Sequence, residues 1–214
     1  MSCAGAVASQ RRNTLRYSAL QWFRAGWACR YLDQGRRNLP DYRRSRTAGG
    51  CYFFTVNLLE RRNNDLLVRH IDLLRLSVRK VMRSLPFHVD GWVVLPDHLH
   101  CIWTLPTGDD DFSGRWRLIR SHFSRSLPAG ERRSPVRMAR GERGIWQRRF
   151  WEHLIRDEED YRRHMDYLHF NPVKHGYVQR VGDWPYSTFH RLVARGVYPA
   201  DWAGTAVQEL IAGE

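Results

Sequence analysis

Two strand-forming runs, residues 87–95 and 98–105, are separated only by Pro96 and Asp97. Two residues leave no room for a crossover, so the pair must fold back as an antiparallel hairpin. The rest of the chain has to pack around that ribbon. Upstream, residues 51–58 (CYFFTVNL) are aromatic and β-branched and follow the Gly49-Gly50 turn, which predicts another strand. Residues 65–85 place Leu66, Leu67, Ile71, Leu74, Val78, Val81 and Met82 at helical spacing, and Pro86 ends the run. Residues 109–127 predict a second helix, with Asp109, Asp110 and Asp111 at the positive end of its dipole. Residues 128–144 read as a mobile basic loop and 145–155 (IWQRRFWEHLI) as a strand. Residues 157–170 predict a third helix, stopped before Pro172. This order specifies an α+β fold, an antiparallel sheet with helices packed on one face. The other face would stay open for a ligand.

With 214 residues the chain can bury one sizeable core and carry appendages. Hydrophobic residues at 43% and charged residues at 27% exclude a wholly disordered or collagen-like chain. The net charge is +13, and 33 of the 35 basic residues are Arg. Arg pairs with phosphate through two parallel hydrogen bonds and stacks on aromatic faces. Nine Trp, nine Tyr and nine Phe are interleaved with it, a composition suited to nucleic acid. The plainer alternative is a soluble protein of a GC-rich genome, where Arg replaces Lys.

The charge is unevenly spread. Residues 1–39 hold seven Arg and one acid and show no clear period. They form a basic N-terminal extension, either a disordered arm or an upstream stretch that is not translated. Residues 40–183 carry the ordered patterns, and 184–214 form an aromatic-rich C-terminal tail. No run of about 18 apolar residues exists, which excludes a membrane-spanning helix. The N-terminus lacks a secretory apolar core, while a transit peptide stays open. Cys3, Cys29, Cys51 and Cys101 have no zinc-like spacing and read as reduced thiols in a cytosolic protein.

The chemistry concentrates at His98 and His100. Period two puts both rings on one face of a strand, while Leu99, Cys101 and Trp103 point to the other. Two adjacent imidazoles make half of a divalent metal site, although an isolated pair of this kind is more often a half-exposed sheet pair. On the third helix, Tyr161, Met165 and Leu168 share one stripe, and Tyr167 lies off it. Asn171 follows Tyr167 by one helical turn, so both can face one site. A phenol beside a metal can attack phosphorus, but any single Tyr of this kind is more often a half-exposed packing residue.

Taken together, WVVLPDHLHCIWTLP (92–106), IWQRRFWEHLIR (145–156), DYRRHMDYLHFNPVKHGYV (160–178) and DWPYSTFHR (183–191) resemble the HUH single-tyrosine transposases. GGCYFFTVNL (49–58) and the YRR of residues 42–44 add to the match. Within that group the chain is similar to the REP-associated tyrosine transposases, over about residues 40–203. The resemblance implies a ferredoxin-like domain over residues 40–183. It implies His98 and His100 as metal ligands, Asn171 as the third ligand and Tyr167 as the nucleophile. Mg²⁺ or Mn²⁺ is the expected cofactor and single-stranded DNA carrying REP hairpins the expected substrate. The expected product is a 5′-phosphotyrosine link, formed by a monomer or a dimer in the nucleoid-associated cytoplasm of a bacterium.

Further residues are candidate DNA contacts. Tyr42, Arg43 and Arg44 form a basic aromatic arm, or a solvated tail. Gly49 and Gly50 form a phosphate approach or a plain turn. Arg148, Arg149 and Arg163 line a DNA path or a solvated face. Trp184 and Tyr186 suit core packing more than base stacking. The rival to an enzyme is a binding module that holds REP hairpins without cutting. A zinc hydrolase fits worse, because the chain has no H-E-x-x-H run.

Overall fold

A computed structural model describes residues 46–131 and 133–202. Tyr42, Arg43, Arg44, the 1–39 extension, Cys3, Cys29 and the last twelve residues lie outside the described residues. The chain runs β1 (Cys51–Asn57), α1 (Leu66–Arg69), α2 (Ile71–Ser84), β2 (His88–Val94), β3 (His98–Thr104) and α3 (Phe112–Ser126). It continues with α4 (Pro135–Ala139), β4 (Trp151–Leu154), α5 (Glu158–Lys174), a 3₁₀ turn (Val181–Asp183) and α6 (Phe189–Ala194). The expected hairpin is β2–β3, and the antiparallel sheet has the order β2-β3-β1-β4. That order, with α2 and α3 as the two connections, is the ferredoxin-like arrangement.

Strand alternation gives the sheet two different faces. Tyr52, Phe54, Val56, Leu99, Cys101 and Trp103 turn towards α2 and α3 and form the larger core with Leu74, Val78, Trp116, Ile119 and Phe123. Trp103 stacks on Trp116 with centroids 4.3 Å apart and planes at 17°. So α2 and α3 share one face, as expected. The opposite face is not left open. Phe53, Val93 and Ile102 meet Met165, Leu168 and Val173 of α5 and Phe189 of α6 in a second core. Gly91 permits this approach, since a Cβ there would lie 2.6 Å from Met165 Sδ.

Several elements depart from the sequence pattern. The long helix of residues 65–85 is split at His70 into α1 and α2. The strand expected over 145–155 shrinks to β4, because Ile145 and Trp146 turn into the main core. The third helix does not stop before Pro172 but runs through it to Lys174. Proline so near the helix end removes one hydrogen bond, and its ring is buried. The basic loop is partly tied down: Arg143 donates to Leu127 O at 2.8 Å and to Glu131. Residues from 184 onward dock along β2, where Val94 N donates to Tyr186 O at 2.9 Å and Thr188 N to Trp92 O at 2.8 Å. Trp184 lies against the second core and Tyr186 against the first. Cys51 and Cys101 are buried free thiols.

His169 joins α5 to this docked segment. It is fully buried between Phe189 and Tyr198, with Nδ1 3.0 Å from Ser187 Oγ. Burial pushes its pKa down to about 3, and the positive charge of Arg191 adds to the effect. In the unfolded chain the ring titrates near 6.5, so below that pH the unfolded state binds a proton that the folded state refuses. Its contribution to stability is therefore complete above pH 6.5 and lost as pH falls towards 3. His169→Phe is expected to flatten the fall of unfolding free energy between about pH 6 and 4 by up to ~1.4 kcal/mol per pH unit. Urea titrations across that range measure the slope, and an unchanged slope would show that His169 is not held neutral.

Candidate active site

The site lies between the histidine face of β3 and the C-terminal half of α5. His98 and His100 share that face as the period of the strand requires, with ring centroids 5.1 Å apart. Both are 3% exposed, so they are enclosed and not the half-exposed pair that an isolated motif suggests. Each ring is held by its Nδ1. His98 Nδ1 donates to Asp97 Oδ1 at 2.6 Å, and Asp97 Oδ2 accepts from Arg61 Nε at 2.5 Å. Thr55 Oγ1, from the neighbouring strand β1, lies 2.8 Å from His100 Nδ1. A proton held on Nδ1 leaves the lone pair on Nε2, the nitrogen free to ligate a metal.

Electrostatics keep the pieces in the required forms. Burial, with the charges of His98, His175 and Lys174 adding to it, pushes His100 well below the usual histidine range. The ring is therefore neutral at physiological pH. Burial acts to raise the Asp97 carboxyl, but the hydrogen bonds from His98 and Arg61 outweigh it and hold the group at about 2.

Across from the strand, α5 brings Tyr167, Asn171, Lys174 and His175 to the same place. The Tyr167 ring is 5.4 Å from the His100 ring and 6.0 Å from Phe53, and 40% of the residue stays exposed. Lys174 Nζ sits 5.0 Å from the centre of the Tyr167 ring. Asn171 is fully buried beside His100. Neither its Oδ1 and Nδ2 nor His100 Nε2 has a hydrogen-bond partner among the described residues. Buried polar atoms are rarely left so, and these await a partner. Two imidazole nitrogens and an amide oxygen form a donor set that fits a divalent ion.

Two residues of the site, Thr55 and His175, carried no signal of their own in the sequence. Thr55 looks like any strand threonine, and only the β1–β3 register (Thr55 opposite His100) reveals it. His175, the C-cap of α5, lies with its ring 5.1 Å from that of His98. Burial first, then His98 and Lys174, lower its pKa to about 4. Lys174 was visible as one of only two lysines in the chain.

The remaining candidates lie elsewhere. Gly49 has φ +71 and donates to Asp109 O at 2.9 Å. A Cβ on Gly50 would meet the Tyr52 ring at 2.8 Å, so local packing requires both glycines. They stand at the far end of β1, roughly 17 to 20 Å from Thr55 at ~3.3 Å per residue. Arg148 pairs with Glu142 at 3.1 Å and Arg163 with Glu159 at 2.6 Å, both on exposed surface. Arg149 is exposed just before β4.

No protein-family model matches the chain. It is 53% identical over 176 residues to the REP-associated tyrosine transposase of Escherichia coli (strain K12), covering 82% of this chain and 98% of the relative. It is 45% identical over 167 residues to a REP-associated tyrosine transposase, given as putative, of Haemophilus influenzae, covering 78% and 94%. A solved REP-associated tyrosine transposase bound to a REP hairpin superposes with a TM-score of 0.67 at 54% identity, covering 78% of this chain and 92% of that one. Among the described residues no helix is long and apolar enough to cross a membrane. Identity of 53% across nearly the whole of a relative extends beyond the motifs to the sheet and helices that carry them, and the chain belongs to the REP-associated tyrosine transposases, single-tyrosine enzymes of the HUH superfamily.

Proposed function

We propose that the protein is a metal-dependent single-stranded DNA endonuclease and strand-transferase that acts at REP hairpins, with Tyr167 as nucleophile. The relative solved with a REP hairpin supports the substrate class. With such a substrate the protein would act at the bacterial nucleoid. One observation carries the chemistry: the unpartnered His100 Nε2 and Asn171 amide are buried together, with Tyr167 one helical turn from Asn171 and 5.4 Å from the His100 ring. His98, His100 and Asn171 would hold a Mg²⁺ or Mn²⁺ ion, which when bound would supply charge neutralisation and polarisation at the scissile phosphate.

The side chains account for the rest. Tyr167 Oη attacks phosphorus in line, the bond to O3′ breaks, and a 5′-phosphotyrosine and a free 3′-hydroxyl result. The phosphodiester energy is retained in the new ester, so the 3′-hydroxyl of another strand can reverse the step without ATP. The ammonium of Lys174 over the ring favours the negative charge that the phenol takes on as its proton leaves. Thr55 and Asp97 fix the imidazoles. Helix packing sets the attack distance, and an error of about 1 Å costs on the order of 10²-fold in rate.

Incubation of a hairpin-bearing single-stranded oligonucleotide with Mn²⁺ is expected to give a covalent adduct on a denaturing gel. Tyr167→Phe should bind the oligonucleotide and give none; an equal adduct would remove Tyr167 from its role. Hairpin binding without any cleavage by the wild type would favour the non-cleaving module. Thr55→Val is expected to raise the Mn²⁺ concentration for half-maximal adduct by about 10- to 100-fold. Asp97→Asn should act in the same direction, and unchanged metal dependence in both would show that the two residues do not orient the histidines.

A further inference from the structure

A second set of ligand-type side chains lies where β4 meets the start of α5, outside the machinery described above. His153 is on the edge strand, and Asp160 and His164 are one turn apart on the helix. One ligand atom from each comes within 4.8 Å of the others. His153 Nε2 is 2.8 Å from Asp160 Oδ2, and His164 Nδ1 is 3.0 Å from Asp160 Oδ1. The two imidazoles stack with centroids 4.5 Å apart and planes at 16°, so both present a nitrogen to the same carboxylate. The side chains of His153, Asp160 and His164 are 23%, 11% and 18% exposed, enough for an ion to enter from solvent.

The chemistry of this set is narrow. It is not an acidic patch: one carboxylate faces two imidazoles, a combination suited to zinc, cobalt and related first-row ions more than to Mg²⁺. Three protein ligands leave a fourth position for water. The N–H protons that now bridge to Asp160 stand where an ion would sit. His153 needs only to hold its proton on the other nitrogen, whereas His164 must also give up the hydrogen bond from its Nδ1 to Asp160 O at 2.8 Å as its proton moves to Nε2. The main-chain N of Arg156 donates to Asp160 Oδ2 at 3.1 Å and would orient the carboxylate from the outer shell. Its guanidinium, 3.5 Å from the same oxygen, is mostly in solvent and can swing away.

We infer that His153, Asp160 and His164 bind a divalent transition ion of the zinc class, at a site separate from the one built on His98 and His100. The ion clamps the short edge strand to the first turns of α5. That clamp bears on the reaction, because His164 precedes Tyr167 by three residues and Phe53 touches both rings, at 4.9 and 6.0 Å. The site is a positioning device, and it stands whether or not Tyr167 is the nucleophile.

Full-length protein stripped with chelator, titrated with Co²⁺ by visible absorption and with Zn²⁺ by calorimetry, tests the inference. His98→Ala/His100→Ala keeps the cluster and is expected to bind one ion, with tetrahedral cobalt bands and a rise in Tm on adding Zn²⁺. His153→Gln/His164→Gln, which retains hydrogen-bonding side chains, should lose the bands and the Tm rise. It should still require Mn²⁺ for the covalent adduct, so the two sites are read separately. Comparable Co²⁺ bands and Zn²⁺ stabilisation in both double variants would overturn the inference. So would a folded His98→Ala/His100→Ala protein, judged by circular dichroism and hairpin binding, that binds neither ion.

Discussion

The packing of α5 against the histidine face of β3 is the contact on which the site depends. One element carries the imidazoles and the other carries Tyr167, Asn171, Lys174 and His175, so no single element holds the chemistry. The two are pressed together by Met165, Leu168 and Val173 against Val93 and Ile102, with Gly91 clearing the way. Burial of side chains of this size contributes about 1.5–3 kcal/mol each. Close packing turns that energy into a fixed distance, since interiors at crystal-like density resist small displacements. The same strand meets α2 and α3 with its other face, so β3 is clamped from both sides. A site assembled in this way is rigid because it is a by-product of two cores.

Burial has a second consequence. His100 is enclosed so thoroughly that its charged form is disfavoured, and a neutral imidazole is what a metal requires. Enclosure alone would leave the ring free to turn the wrong nitrogen inward. Thr55 removes that freedom from the neighbouring strand, and Asp97 does the same for His98 from the hairpin turn itself. Asp97 is in turn held ionised against its burial by His98 first and then by Arg61, which reaches it from the segment after β1. The turn that makes the hairpin possible therefore also carries the group that orients His98.

Much of this was legible in the sequence because it depends on local periodicity. A two-residue break dictates a hairpin, a period of two puts His98 and His100 together, and a helical turn separates Tyr167 from Asn171. What escaped the sequence depends on pairing between distant segments. Thr55 belongs to the site only through strand register, and His153 joins Asp160 and His164 only because β4 lies beside α5. Pro172 misled the reading because proline usually ends a helix, whereas here the packing of α5 on the sheet outweighs one missing hydrogen bond. The covering of the second face was hidden for a related reason: α5 is short of apolar residues, and the ones it has are concentrated where it meets β2 and β3.

The arginine excess also changes meaning once the contacts are known. Arg115 is buried and donates to Asp109, Pro86 O and Asp111 O. Arg143 gathers the carbonyls of Leu127 and Pro128 with Glu131, and Arg191 reaches Val89 O and Asp90 O. A planar group with five fixed donors can bridge several carbonyls at once, and an ammonium cannot replace it in that geometry. Part of the positive charge therefore cross-links loops and is not displayed to DNA. Lys174 is the converse case. Over the ring of Tyr167 stands a compact point charge without a fork of donors, and there the chain departs from its own preference for arginine.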